Sequence, residues 1–464
     1  MSFELGPDLP ETTCAVVVGY GRSGRAAARV LIERGVEVRV TDERPESELG
    51  PIPFVDGFTL HAGGHPESIL EGASLVVVSP GVRSVHPFLD AARARGIPVI
   101  GEIELASRLL PGLVIAITGT NGKSTTTSLT ADLAKAGGRE AIACGNLGIP
   151  WISYAQNQGN AAETAPSKVW VVEISSFQLE TIRRFAPDAA VILNITPDHM
   201  DRYRSFDDYA AAKVRILENQ HPSQLAILNA DDPATKRLTP RARASWFSRA
   251  SRQESGIWIE DGTIYATDPR RGVREIIRRD VLRLPGEHNT ENLLAALAAV
   301  LPLGLGEERL RKVLSEFKGL PHRTVLVRER AGVAYFNDSK GTNVDAALKS
   351  LEGFPDRSVH LILGGQDKKS NFTRLQEMVQ KKAASVYLIG NAAPAIQEAL
   401  EGFVEIISSG SLDRAVSEAA RRAQPGETVL LSPACASFDQ FRNFEHRGDV
   451  FESLVRDLPE IWEG

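Results

Sequence analysis

Leu113-Val114-Ile115-Ala116-Ile117-Thr118-Gly119-Thr120-Asn121-Gly122-Lys123-Ser124-Thr125 decides how this chain is read. Leu113–Ile117 is a short apolar run of the kind that forms a buried strand. After the loop, Leu129, Leu133 and Ala136 recur at helical spacing, and Gly137-Gly138 ends the helix. The order is therefore strand, glycine loop, helix. Glycines let backbone N–H groups curl round a phosphate, the helix N-terminus adds partial positive charge, and Lys123 adds a full one. Ser124 or Thr125 supplies a hydroxyl suited to Mg²⁺. The usual pattern has a glycine where Ile117 stands, so a plain strand-to-helix turn is the alternative; ATP-type phosphate binding by Gly119, Thr120, Asn121, Gly122, Lys123, Ser124 and Thr125 is the expectation.

A second glycine pattern lies upstream. Cys14–Val18 reads as a strand, Gly19-Tyr20-Gly21-Arg22-Ser23-Gly24 fits G-x-G-x-x-G, Ala26–Glu33 reads as a helix, and Val36–Val40 as a strand leading to Asp42. An acidic residue about twenty positions past the glycines is the dinucleotide fingerprint, which alone favours a nicotinamide enzyme. A turn cap is the other role for Asp42. With Leu75–Val78 and Pro98–Ile100 as further strands, residues 1–101 make a first, Rossmann-like domain.

Residues 102–319 form the central domain around the phosphate loop. Val169–Val172 ends at Glu173, a carboxylate placed to hold Mg²⁺, directly or through water, or to serve as a cap. Ala190–Ile195 ends in Thr196-Pro197-Asp198-His199, whose histidine is a metal ligand, a substrate contact or a structural residue. Ser205 and Asp208 read as a capping box for a helix to about Asn219. Lys213 falls inside that helix's apolar stripe. Either its stem snorkels, or its amine is desolvated with a lowered pKa, or CO₂ has converted it to a carbamate able to ligate metal. Residues 241–283 look like a small, more exposed β region, and 285–292 open an alanine- and leucine-rich helix at 293–301. Residues 320–464 make a third domain that alternates again, with strands at Val333–Phe336, Val359–Leu363, Val386–Ile389, Val404–Ile407 and Thr428–Leu431. Several end in polar clusters: Asn337–Lys340, Gly364–Lys368 and Ser432–Ser437. Strand carboxyl ends are where open α/β sheets bind ligands.

The fold class is thus α/β in three domains: Rossmann-like, central P-loop ATPase type, and Rossmann-like again. A net charge of −6 argues against nucleic-acid binding through one basic field. Cys14, Cys144 and Cys435 are too few and too scattered for a disulfide framework or a zinc site, which fits a reducing cytosol. Neither a signal peptide nor an apolar run long enough to span a bilayer is expected, so a cytoplasmic chain without membrane insertion is predicted.

Cations beside a phosphate loop, with no nucleophile elbow, suit phosphoryl transfer to a carboxylate followed by amine attack, which needs positioning and charge neutralisation. Here the chain resembles the Mur ligases, most closely the branch that adds D-glutamate. The resemblance rests on Gly119–Thr125, on 172–180 and 194–203, on Gly286–Asn292, Gly319–Arg323 and Asn337–Asn343, and on 431–441. It implies ATP with Mg²⁺, the substrates UDP-N-acetylmuramoyl-L-alanine and D-glutamate, an acyl-phosphate route, and a monomer. It implies that Lys123, Ser124 and Thr125 hold phosphates and Mg²⁺, that Glu173 and His199 serve the metals, and that Lys213 is carbamylated. Asn289 and Asn292 would face the nucleotide, Arg323 its γ-phosphate and Asp338 its ribose. Lys340, Thr342, Lys368, Ser437 and Phe438 would serve substrate, the last four on the D-glutamate carboxylates. Asn146 and His199 would touch the muramoyl substrate, and Ser23 and Asp42 its UDP end. Lys369 and Asn371 depart from the family's pattern, and Glu43 and Arg44 match it weakly. The competing readings are a sister ligase or folylpolyglutamate synthase, a nicotinamide-dependent nucleotide-sugar oxidoreductase, and a non-catalytic nucleotide-binding module.

Overall fold

Apolar runs with β-branched residues become the interiors of three separate sheets. The computed structural model describes residues 4–49, 56–156, 168–268, 272–282 and 286–459; Pro285, at the head of the 285–292 motif, lies outside them. The first sheet holds β1 (Cys14–Val18), β2 (Glu37–Asp42), β3 (Phe58–Ala62), β4 (Leu75–Val78) and β5 (Val99–Gly101). All are parallel in the order β3-β2-β1-β4-β5. The order reverses between β1 and β4, which opens a crevice at their carboxyl ends.

The central sheet has nine strands: β6 (Leu113–Thr118), β7 (Glu140–Gly145), β8 (Lys168–Glu173), β9 (Ala189–Ile192), β10 (Leu225–Asn229), β11 (Arg243–Ser248), β12 (Gly256–Glu260), β13 (Thr263–Asp268) and β14 (Gly272–Arg278). Their order is β14-β13-β12-β11-β10-β9-β6-β8-β7, antiparallel only along β12-β13-β14. The β region expected to be small and exposed is thus the edge of the central sheet, and Ile257, Ile264 and Ile277 are buried in its core. The third sheet comprises β15 (Val325–Arg330), β16 (Val333–Asn337), β17 (Val359–Gly364), β18 (Ala383–Ile389), β19 (Ile406–Gly410) and β20 (Thr428–Leu431), ordered β15-β16-β20-β17-β18-β19. Only the β15–β16 pair is antiparallel.

The helices that place the site are α1 (Arg22–Glu33), α2 (Pro87–Ala94), α3 (Glu102–Leu109), α4 (Lys123–Ala136), α5 (Ser176–Leu179), α6 (Phe206–Val214), α7 (Glu287–Val300), α8 (Glu307–Glu316) and α9 (Val344–Glu352). Helix α1 begins four residues earlier than its apolar pattern suggested. A Cβ on Gly24 would lie 1.9 Å from Gly19 O, so only glycine lets α1 start against the β1 turn. Helix α6 stops at Val214 and tightens into a 3₁₀ turn at Arg215–Leu217. Ser205 Oγ accepts the Asp208 N–H, one half of the expected box. The full reciprocal box sits instead on α5, between Ser175 and Gln178.

The two joints between sheets differ in kind. The first and central sheets share one apolar core, in which Val17 and Leu31 pack in the same cluster as Leu105, Trp151, Trp170 and Phe185. Polar pins reinforce it. Glu104, wholly buried on α3, accepts the backbone N–H groups of Arg183 (2.8 Å) and Phe185 (3.0 Å). Glu102 Oε1 accepts that of Ile152 at 2.7 Å. Arg202 donates to Pro80 O and Val82 O, both at 3.2 Å. The third sheet has its own cores on its two faces. Side-chain pairs tie it to the central sheet: Asn343 to Asn121 and Asp198, Lys368 to Asp198, and Lys349 to Glu291.

Candidate functional site

The phosphate loop rises from β6, which lies between β9 and β8. Gly122 caps α4 at φ 86°, a left-handed conformation that glycine adopts at little cost. Asn194, after β9, holds the loop from below: its Oδ1 accepts Asn121 N–H at 2.9 Å and its Nδ2 donates to Asn121 O at 3.2 Å. Thr120 Oγ1 lies 3.0 Å from both Thr196 O and the Tyr209 hydroxyl. Lys123 Nζ donates to Gly119 O (2.9 Å) and Thr120 O (2.8 Å). Burial lowers its pKa, against the pull of Glu173 and Asp198. Ser124 and Thr125 open α4, both buried.

Glu173 ends β8 beside this loop. Its Oε1 accepts Asn146 Nδ2 at 2.7 Å, while Oε2 is buried without a partner. Burial alone would raise its pKa, but Lys123 and Lys340 outweigh it and hold the carboxyl below its ordinary range. An ionised, half-satisfied carboxylate oxygen in a buried site has the chemistry of a cation ligand. His199, at φ 59°, packs edge-on against Phe177 with ring centroids 4.8 Å apart. Burial pushes its pKa down to about 4 despite Asp198, so the ring is neutral and keeps a lone pair.

Lys213 does not snorkel. The residue is 2% exposed, and its Nζ donates to Gly119 O at 2.7 Å, the same carbonyl that Lys123 uses. Burial, then the charge of Lys123, push its pKa far below the ordinary lysine range. The apolar stripe left a snorkelling stem, a desolvated amine and a carbamate open; α6 presses the amine under the loop, out of reach of solvent.

A pocket between α4, α7 and the third sheet gathers Asn289, Asn292, Arg323, Asp338 and Lys340 with His288 and Lys349. Asn292 bridges Asn289 Oδ1 (3.2 Å) and the Thr126 hydroxyl (3.2 Å). Burial raises the Asp338 carboxyl to about 6, although Ser432 Oγ donates to it at 2.7 Å. Lys340 Nζ lies 3.7 Å from the centre of the Phe444 ring, and burial followed by Arg323 lowers it to about 8. Thr342 follows on the same turn, its N–H bonded to Lys340 O. Lys368 pairs with Asp198 Oδ1 at 3.3 Å across the joint. Ser437 is buried, and Phe438 turns a 68% exposed side chain outward.

A separate cleft of about 670 Å³ opens at the carboxyl ends of β1 and β4, lined by Ser23, Asn146 and Gln178 among others. Asp42 borders it, but its carboxylate is committed within the chain. Oδ2 accepts Tyr20 N–H at 2.6 Å, and Arg44 binds both oxygens at 2.9 Å. Asp42 therefore straps the glycine turn to Arg44, the turn-holding role that the sequence left open beside a contact to the UDP end. Sequence reasoning passed over Asn194, Asn343, Lys349 and the part Asp198 plays. Asp198 alone carried a signal, as a carboxylate at a strand end beside His199. Burial would raise its pKa, but Lys368 and His199 hold it down at about 2.

Comparison with known proteins agrees with this geometry. Residues 13–101 match the family described as Mur ligase MurD-like, N-terminal domain; residues 117–300 match the Mur ligase middle domain; residues 322–435 match the Mur ligase, glutamate ligase domain. The UDP-N-acetylmuramoylalanine--D-glutamate ligase of Koribacter versatilis is 47% identical, over 96% of this chain and 97% of its own. The protein of that name from Acidobacterium capsulatum is 44% identical over 95% of both chains. Among solved structures, the MurF ligase from Thermotoga maritima in complex with ADP has the same fold, with TM-score 0.61 at 17% identity over 97% of each chain.

Proposed function

This chain belongs to the Mur ligase family, and from that premise we propose that it joins D-glutamate to UDP-N-acetylmuramoyl-L-alanine with consumption of ATP, a step of peptidoglycan synthesis. The observation that carries this reading is the gathering of Lys123, Lys340 and Arg323 with Glu173 at the joint between central and third sheets. It is a buried, mainly cationic site at a phosphate loop, where developing phosphoryl charge is stabilised most strongly.

In this reading ATP lies between α4, α7 and the third sheet, with its base near Asn289 and Asn292 and its ribose at Asp338. The loop N–H groups, Lys123 and Arg323 hold the phosphates. An oxygen of the L-alanine carboxylate attacks the γ-phosphorus, ADP leaves, and an acyl phosphate forms. Lys368, Thr342, Ser437 and the Phe438 backbone hold the D-glutamate carboxylates, so that its amine attacks the acyl carbon and phosphate departs. Asn146 and His199 steady the muramoyl end, and Ser23 lies on the UDP cleft. Glu173, with its unpartnered Oε2, neutral His199 and the hydroxyls of Ser124 and Thr125 are suited to Mg²⁺, which supplies charge neutralisation at the phosphates. A carbamate on Lys213 would turn its buried amine into a carboxylate-like ligand. No helix among the described residues is long and apolar enough to cross a membrane; we place the activity in the cytoplasm, with all three ligand sites on one monomer.

The test is phosphate release from ATP with UDP-N-acetylmuramoyl-L-alanine, screened across D- and L-amino acids. Release with D-glutamate alone is expected. Release driven by an L-amino or diamino acid would point to a sister ligase, and a change in NADH absorbance without phosphate release to an oxidoreductase.

A further inference from the structure

Helix α9 lines the pocket between α4, α7 and the third sheet, with Ala346, Lys349 and Ser350 on the pocket wall. It is fastened to the central sheet at both ends. At its head, the N-cap Asn343 reaches Asn121 on the phosphate loop (3.3 Å) and Asp198 (3.1 Å). In its last turn, Lys349 Nζ lies 3.4 Å from Glu291 Oε2 on α7.

Glu291 is itself held from behind. Its other oxygen, Oε1, accepts Arg249 Nε at 3.0 Å, and Arg249 also donates to Glu287, one turn earlier on α7. Arg249 stands just after β11, and its backbone N–H is bonded at 2.6 Å to Oδ2 of Asp231, which follows β10. The contacts therefore run Asp231, Arg249, Glu291, Lys349, from two strand ends of the central sheet through α7 to the third sheet. The side chains of Arg249, Glu291 and Lys349 are 30%, 14% and 29% exposed, so water screens this ladder only in part.

Glu291 and Lys349 stand in the wall between two cavities. One is the nucleotide pocket, and the other is a cleft of about 400 Å³ behind it that Arg249 also lines. A carboxylate in the wall of a pocket for a polyanion repels the ligand unless cations neutralise it. Here two cations do so, one from each sheet.

We propose that Glu291 is a positioning residue for the nucleotide: fixed by Arg249, it binds Lys349 and so docks α9, and the third sheet with it, against ATP. The inference rests on the reading that ATP lies between α4, α7 and the third sheet, and it adds what closes that pocket on its α7 side. Glu291 acts through Lys349 and α9, not on the reacting atoms.

The test is calorimetric titration of the full chain with β,γ-methylene-ATP and Mg²⁺. The proteins are wild type, Glu291→Gln, Lys349→Met, Lys349→Arg and the double variant Glu291→Gln/Lys349→Met. Glu291→Gln and Lys349→Met should each weaken binding about fivefold, the upper end for a partly screened ion pair. The double variant should be no weaker than the worse single one, since both changes remove the same contact. Lys349→Arg should stay near wild type. KM for ATP should rise with Kd while kcat moves far less, and the loss should shrink in high salt. Tighter binding in Glu291→Gln would overturn the proposal, because it would mean that Lys349, once freed, binds the nucleotide directly. Losses that multiply in the double variant would overturn it too, as would a lowered unfolding midpoint with affinity unchanged, the mark of a merely structural link. Equal affinity in wild type and Lys123→Ala would instead remove the reading of the pocket itself, and the inference with it.

Discussion

Glu102→Gln tests the joint between the first and central sheets. Glu102 opens α3, is 2% exposed, and spends one oxygen on the Ile152 N–H while the other is buried unpartnered. Burial raises its carboxyl from 4.5 to about 7. A folded-state pKa above the unfolded one means that the fold favours the protonated form. That contribution is complete below pH 4.5, declines as pH rises between 4.5 and 7, and is gone above 7. At about 1.36 kcal/mol per pH unit, wild type should lose roughly 2 to 3 kcal/mol between pH 5 and 8.5 from this group. Glutamine keeps an acceptor for Ile152 and never ionises. Whatever its absolute offset, the variant should therefore gain on wild type by that amount over the same range. Urea unfolding of both proteins at several pH values, compared by midpoint at equal m, reads the difference directly. A difference that stays flat, or runs the other way, would refute the claim that Glu102 is held as a buried acid.

Lys123→Ala should cost on the order of 10²-fold or more in ATP-dependent ligation with the unfolding midpoint little changed; near-normal turnover would remove the loop from the site. Lys368→Ala should raise KM for D-glutamate about tenfold or more while moving KM for ATP far less, and equal effects on both would shift attention to Lys369. Lys213→Ala should be nearly inactive and regain part of its turnover when a short carboxylic acid such as acetate is added. Lys213→Arg should not, because a guanidinium fills the buried site with the wrong charge. An active Arg variant, or an unmodified wild-type lysine during normal turnover with Mg²⁺, would end the carbamate reading.

The sequence made the phosphate loop, the first-domain glycine turn and the strand ends that carry Glu173 and His199 visible, because each couples an apolar run to a polar or glycine break. Lys213 was visible for the reverse reason, a cation inside an apolar stripe. Strands β3, β7, β11 and β15 were not foreseen. Phe58–Ala62 and Val325–Arg330 are half-exposed edges without the continuous apolar run of a central strand, and Glu140–Gly145 offers only the short run Ala141–Cys144 close behind a helix-ending Gly-Gly. Glu102 and Glu104 in Glu-Ile-Glu-Leu look like the solvent face of a helix; only the packed chain shows that both point into a joint. Asp198 and Asn343, 145 residues apart, acquire meaning only when the third sheet is docked.

The shared core of the first two sheets also bears on how the chain is made. Helix α1 packs on the 3₁₀ turn Trp151–Ala155, and Trp151 in turn meets Trp170 and Phe185. When the ribosome has released only the first sheet, the face that α1 presents to those aromatics has nothing to bury against. It stays uncovered until the segment through Phe185 emerges, a window in which a nascent chain is prone to self-association and to capture by chaperones. The third sheet, closed around its own two cores, waits on no other sheet: it can condense once the helix Phe444–Arg456, which supplies Phe451 and Val455 to one of those cores, has emerged. The protein thus has three sheets and two assembly units, and slowing translation early in the chain should harm its yield more than slowing it late.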